Sequence, residues 1–268
     1  MPVKKHHPSL DAVPAMGFHR LKDVLTTRDY LREYCEFLAP VVGLAAKATK
    51  EAAASCLRSA KRLSYLGLKR DKKAALVHPE VQYERAMFER WKSHDGSPES
   101  GWHRILDYQI PVKDRRESVM GLKAIDLLAI DHLGLPVIIE LKIVRTGKHK
   151  GADTPLHALL EAASYACVLQ ADWPCFKTEL AAQTKKIGIE AVLPEKLDRV
   201  ALVVAGPFEY WTFWNYEART SIMDARPGFR ALVDAFRKEG YPVFFTCVGG
   251  SVTQPDSLSA AKADFLAV

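Results

Sequence analysis

The chain has 268 residues, 38 Lys+Arg against 32 Asp+Glu, a hydrophobic content of 48% and five scattered cysteines. Such a length and apolar content suffice for one sizeable core with residues to spare. An odd number of cysteines without a Cys-x-x-Cys pair excludes a disulfide framework and a zinc ribbon and points to a reducing cytoplasm. The best apolar run, residues 37–46, is about half the roughly 20 residues of a membrane helix, and no basic-then-apolar leader opens the chain, so neither membrane spanning nor secretion is expected.

Charge is unevenly placed. Residues 1–75 hold 15 Lys+Arg against 7 Asp+Glu, and the remainder hold 23 against 25. Within that basic region, residues 27–38 and 40–65 show helical spacing of apolar positions, followed by the run KRDKK at 69–73. The pattern predicts a basic helical extension with a charged linker, an arm suited to a polyanion such as nucleic acid. The other reading is that Leu31, Phe37, Leu38, Val41 and Leu44 pack against the core and make the extension a layer of the fold.

Beyond it the elements alternate. Pro79 opens a helix whose apolar positions Val81, Ala86, Met87, Phe88 and Trp91 leave Glu80, Glu84 and Glu89 on other faces. Residues 104–112, 122–130 and 136–144 read as strands, with a turn at 131–135 that contains Gly134. Thr154 and Pro155 have the chemistry of an N-cap and a first helical residue, so a helix is expected from there to about residue 170. Residues 200–205 and 241–248 are further strands, the latter after a helix over 228–238; the aromatic stretch 207–218 fits helix or strand.

A hairpin turn centred near Leu133 makes residues whose numbers add to 266 face each other, which sets Asp126 opposite Glu140, with Lys142 on the same face. A slip of one residue would put the two carboxylates on opposite faces. Two carboxylates that close, in strands otherwise apolar on both faces, repel unless a cation lies between them, and a hard divalent ion such as Mg²⁺ suits them. The structural alternative is a Glu140–Lys142 ion pair with Asp126 capped by a backbone group.

Asp126, thirteen intervening residues, then Glu140-Leu141-Lys142, with a helix before and after, resembles the PD-(D/E)xK nuclease superfamily. The resemblance covers about residues 78–206. It implies an α/β fold with a restriction-endonuclease-like αβββαβ core, a mixed central sheet flanked by helices, here carrying the N-terminal basic helical extension. The expected organisation is extension and linker at 1–75, nuclease core at 76–250 and a C-terminal tail at 251–268.

The implied activity is Mg²⁺- or Mn²⁺-dependent hydrolysis of phosphodiester bonds in nucleic acid, with DNA the expected substrate and a homodimer allowed. Asp126, Glu140 and Lys142 would be catalytic. Asp126, Glu140, the Leu141 carbonyl and Glu84 would hold the metal, and Glu84, Glu161 and Tyr165 would be auxiliary. Glu84-Arg85 matches a Glu often found on the family's first helix, with Glu80 a second candidate one turn earlier. Glu161 and Tyr165 match a Gln and Tyr spaced by four, with Glu in place of Gln as a departure, and His157 lies one turn before Glu161. In the segment RTGKHKG, Arg145, Lys148 and Lys150 are placed for phosphate contacts beside glycines that permit close approach. The alternative function is a catalytically inactive nucleic-acid-binding or assembly module on the same fold.

Overall fold

The computed structural model describes residues 16–25, 31–57, 65–66, 78–112, 119–144, 152–189, 191–217 and 219–263. Arg145, Lys148 and Lys150, and the run at 69–73, lie outside them. Six strands form one mixed sheet in chain order: β1 (Arg104–Pro111), β2 (Ala124–Ile130), β3 (Pro136–Leu141), β4 (Ala201–Pro207), β5 (Val243–Gly249) and β6 (Ser259–Lys262). β1, β2 and β3 pair antiparallel, β3, β4 and β5 parallel, and β5 with β6 antiparallel.

The β2–β3 turn follows from its side chains. Asp131 Oδ1 accepts hydrogen bonds from the backbone N–H groups of Leu133 and Leu135, and Gly134 takes a φ of 79°, which costs a residue without Cβ little. These constraints fix the register: Leu127 faces Ile139, Leu128 faces Ile138 and Ala129 faces Val137. Each pair adds to the expected 266.

Among the described residues, seven helices longer than one turn cover the two faces: α1 (Phe18–Val24), α2 (Leu31–Leu38), α3 (Val42–Leu57), α4 (Pro79–Trp91), α5 (Pro155–Ala171), α6 (Trp173–Lys186) and, after the short helix α7 (Phe208–Thr212), α8 (Arg219–Lys238). Helix α4 supplies one layer, where Ala86, Met87 and Trp91 pack on Ile105, Leu127, Ile139 and Leu141. Helices α5, α8 and α1–α3 supply the other, on the face that carries Ile138, Leu202 and Val204. Thr154 caps α5 by accepting from the His157 N–H at 3.0 Å. The helix is buried on nearly all sides, as an apolar helix between two layers must be.

The helices read from charge as an extension belong to this second layer. Phe18, Leu21, Leu31, Leu38 and Val42 are at most 2% exposed and share one core with the sheet; α1 and α3 contact α5, and α2 contacts α8. Tyr65 stacks on Phe176 of α6, and Glu179 accepts from the backbone N–H groups of Tyr65 and Leu66. The boundary expected near residue 75 lies outside the described residues, and the described helices before it pack in the common core. Phe37 and Val41 pack against the core, whereas Leu44 is 53% exposed. The expected tail likewise contributes a strand, β6. Helix α8 begins nine residues before the expected start and runs through Pro227.

Among the described residues no helix is long and apolar enough to cross a membrane.

Candidate active site

The pairing of β2 and β3 ends at Leu127 and Ile139, one residue short of Asp126 and Glu140. There Asp126 Oδ2 accepts a hydrogen bond from the Leu141 N–H at 2.9 Å, so the carboxylate replaces a backbone carbonyl as the partner of β3. Lys142 continues the strand: its N–H donates to the Ala205 carbonyl of β4 at 2.9 Å. Gly206 is required beside it, because a Cβ at 206 would lie 2.9 Å from the Lys142 carbonyl and 2.5 Å from the Tyr210 ring.

On the other side of β2 the sheet is irregular. Ile110 and Ile125 face each other and join the α5 core, whereas Tyr108 and Leu127, two residues along each strand, pack in the α4 layer. Strict alternation would keep both pairs on one face. Between them on β1 Gln109 has a φ of 49°, while the shift in register of this pair lies farther along, between Ile105 and Asp107. Gln109 Nε2 donates to Glu84 Oε2 at 2.6 Å, and Glu84 is 1% exposed.

Helix α5 closes the cluster from above. Lys142 Nζ donates to Glu140 Oε1 at 2.6 Å and to Glu161 Oε2 at 3.1 Å. His157 Nε2 lies 3.5 Å from Glu161 Oε2, while its Nδ1 lies 2.9 Å from the Lys22 carbonyl of α1, a bond in which only the ring can be the donor. Tyr165, one turn beyond Glu161, is 2% exposed. Glu84, Asp126, Glu140, Lys142, Glu161 and Tyr165 therefore converge, as expected. Leu141 lies among them with its N–H on Asp126 and its side chain in the α4 layer.

Charge does not balance in this space. Glu140 is 2% exposed and Lys142 8%, yet among the described residues a single ammonium faces Glu84, Asp126, Glu140 and Glu161. Glu140 Oε2 is buried and accepts no hydrogen bond from any N–H or O–H group, a state that costs several kcal/mol for a charged oxygen. Burial, with Asp126 and Glu161 adding to it, lifts the Glu140 pKa well above the usual carboxylate range. Burial, then Asp126, does the same to Glu84. Asp126 is pushed up to about 7 by burial, against the pull of Lys142.

Burial works against the Glu161 carboxylate too, but His157 and Lys142 hold its pKa below the usual range. Burial would depress Lys142, and Glu140, Asp126 and Glu161 outweigh it and keep the ammonium charged. Burial, then the neighbouring carboxylates, raises the Tyr165 pKa and keeps it a neutral phenol. Without a cation, protons are what relieve this cluster.

Comparison with protein-family models, with curated proteins and with solved structures gives no match for this chain. Its function has to be argued from the cluster itself.

Two further members were not singled out from sequence. Gln109 lies in a strand that was expected, but its backbone conformation and its partner Glu84 leave no signature in residue type. Helix α1 contributes only a backbone carbonyl, which no sequence pattern marks.

The raised carboxylates set a pH dependence. The folded chain keeps a proton on Asp126 that the unfolded chain has released above the ordinary carboxylate value near 4. Metal-free stability should thus fall as pH rises from about 4 to about 7. Glu161 acts oppositely but outside that window, since its contribution is lost only on acidification below the ordinary carboxylate range. Melting in chelator across this range should show the fall in wild type and a shallower one in Asp126→Asn. A slope unchanged by the substitution would contradict the assignment.

Proposed function

We propose that the chain is a metal-dependent nuclease of the PD-(D/E)xK kind, which hydrolyses phosphodiester bonds of nucleic acid, with DNA as its substrate. The restriction-endonuclease-like core would be α4, β1, β2, β3, α5 and β4, which follow one another in the order that resemblance requires. The observation that carries the reading is the buried Glu140, with one oxygen on Lys142 and, among the described residues, no donor on the other and one ammonium for four carboxylates.

Among the described residues no three His, Cys, Asp or Glu side chains stand in a ready-made metal cage; the carboxylates are turned onto Lys142, Gln109 and the Leu141 N–H instead. In kind, however, the donors fit a hard divalent cation, being carboxylate oxygens held close with too little positive charge. Asp126, Glu140, the Leu141 carbonyl and Glu84 would hold Mg²⁺ or Mn²⁺. Such an ion supplies polarisation of the phosphate and a lowered pKa for a water bound to it. Lys142 keeps its proton and is placed to hydrogen-bond a phosphate oxygen or the attacking water, stabilising the charge that develops. Glu161 and His157 fix where that ammonium sits, and Tyr165 offers a neutral O–H. The net positive charge of residues 1–75 would draw the polyanion by long-range attraction.

One observation favours a second reading, an inactive binding or assembly module. The Glu140–Lys142 pair and the Asp126–Leu141 hydrogen bond are the contacts a purely structural cluster would make. Incubation of purified protein with single-stranded, duplex and branched DNA, in Mg²⁺ or Mn²⁺ and in chelator, separates the two. The nuclease reading expects cleavage only with metal, together with a rise in melting temperature on adding the ion. Tight DNA binding with no cleavage under any condition would favour the module.

A further inference from the structure

One oxygen of Glu161 is shared by two side chains. Lys142 Nζ donates to Glu161 Oε2 at 3.1 Å, and His157 Nε2 lies 3.5 Å from the same atom. His157 precedes Glu161 by one turn of α5, so the helix itself sets their spacing. All three side chains are at most 17% exposed, where charges act on one another more strongly than in water.

The charge of the imidazole follows from what faces it. Its Nδ1 lies 2.9 Å from the Lys22 carbonyl of α1; a carbonyl has no proton to give, so Nδ1 carries one. In a neutral ring the other nitrogen then bears a lone pair, and that lone pair would be set against a carboxylate oxygen. Glu161 has no proton to place between them, because against the effect of burial His157 and Lys142 hold its pKa below the usual carboxylate range. Both ring nitrogens thus face acceptors, and the ring that fits between them carries two protons and a positive charge. Among the described residues the charged groups around it are Glu161 on its own helix, Lys142 across that carboxylate and, on α1, Lys22, whose ammonium is paired with Asp23 at 2.8 Å.

Two cations on one oxygen compete for it. With a neutral ring the whole charge of Glu161 would act on Lys142 and draw the ammonium towards α5, away from Glu140 Oε1, which it meets at 2.6 Å on its other side. With an imidazolium in place, part of that charge is answered by the ring, and Lys142 is freer to turn to a phosphate oxygen or the attacking water. We propose that His157 is a positioning residue of this centre, an imidazolium held by the backbone of α1 that moderates the grip of Glu161 on Lys142. The inference rests on the nuclease reading. It adds to that reading a working form in which His157 is protonated, and it gives the N-terminal layer a part in the site through the Lys22 carbonyl.

Two measurements on the full chain test it. Nitrogen-15 NMR of the histidine rings, with His157 assigned through its backbone, reports the proton on each ring nitrogen. At the pH of the cleavage assay both nitrogens of His157 should be protonated, and a ring with one bare nitrogen would overturn the proposal. For kinetics, His157→Gln keeps an amide donor for the Lys22 carbonyl but no charge. It should lower kcat on single-stranded DNA in Mn²⁺ by about tenfold with KM unchanged, the kind of loss that a slight misplacement of a reacting group brings. In a Glu161→Gln background there is no carboxylate charge to moderate, and the same substitution should cost less than about twofold. Equal losses in the two backgrounds would overturn the role through Glu161. Should His157→Gln fail to fold, the wild-type ring spectrum still decides. Cleavage by a wild type whose His157 is neutral would sink this inference alone, whereas a doubly protonated ring in a protein that cleaves nothing would sink the nuclease reading and the positioning role with it.

Discussion

Glu140→Gln, Asp126→Asn and Lys142→Ala are each expected to lower cleavage by roughly a hundredfold or more, the loss typical when a charged group at the reacting phosphate is removed. Their stabilities should diverge, which keeps the result readable. Neutralising Asp126 or Glu140 removes repulsion within an overcharged cluster, so those variants should melt at or above the wild-type temperature in chelator. Removing Lys142 leaves Glu140 and Glu161 without the ammonium that both contact, and breaking a buried ion pair from one side costs about 3 to 5 kcal/mol. Kinetics and melting measured on the same preparations check both halves. An Asp126→Asn or Glu140→Gln protein that is fully active would contradict the catalytic assignment, and one that is markedly destabilised would favour a structural cluster.

Deletion of residues 1–75 is expected to leave an insoluble or unfolded remainder. Phe18, Leu21, Leu31, Leu38 and Val42 are buried in the core shared with the sheet. At about 1.5 to 3 kcal/mol for each large apolar side chain, their loss is comparable to the whole stability of an ordinary domain, about 5 to 15 kcal/mol. The cut would also uncover α5, whose buried Leu156 and Leu159 belong to that core, and would take away the Lys22 carbonyl that His157 contacts. Circular dichroism and sedimentation of the truncated protein are the check. A soluble, cooperatively melting truncation would show that the layer is dispensable and return these helices to the role of an arm.

Legibility differed from element to element for physical reasons. The β2–β3 register was readable because Asp131 and Gly134 mark the turn chemically, and a turn of known length fixes every pair beyond it. Helix α5 was readable from its cap, Thr154-Pro155. The placement of Asp126, Glu140, Lys142, Glu161 and Tyr165 follows from those two elements.

Burial of Glu84 was not readable. A glutamate off the apolar stripe of α4 reads as solvated, whereas in the fold it is buried and accepts a hydrogen bond from the Gln109 amide, on a residue whose positive φ no residue type announces. The start of α8 was misplaced because Pro227-Gly228 looks like a helix beginning, whereas the helix passes through the proline and forgoes one backbone hydrogen bond. Charge suggested an arm at residues 1–75, but net charge reports on the solvent-facing side of a helix and is silent about what its other side covers.

The central claim is that Glu140, in one buried cluster with Asp126 and Lys142, serves phosphodiester hydrolysis. The most direct measurement compares wild type and Glu140→Gln, purified identically, on one labelled DNA strand in Mn²⁺ and in chelator. The expected result is cleavage by wild type in Mn²⁺, none in chelator, and a loss of at least about a hundredfold in the variant. Equal cleavage by the two proteins, or none by either, would contradict it.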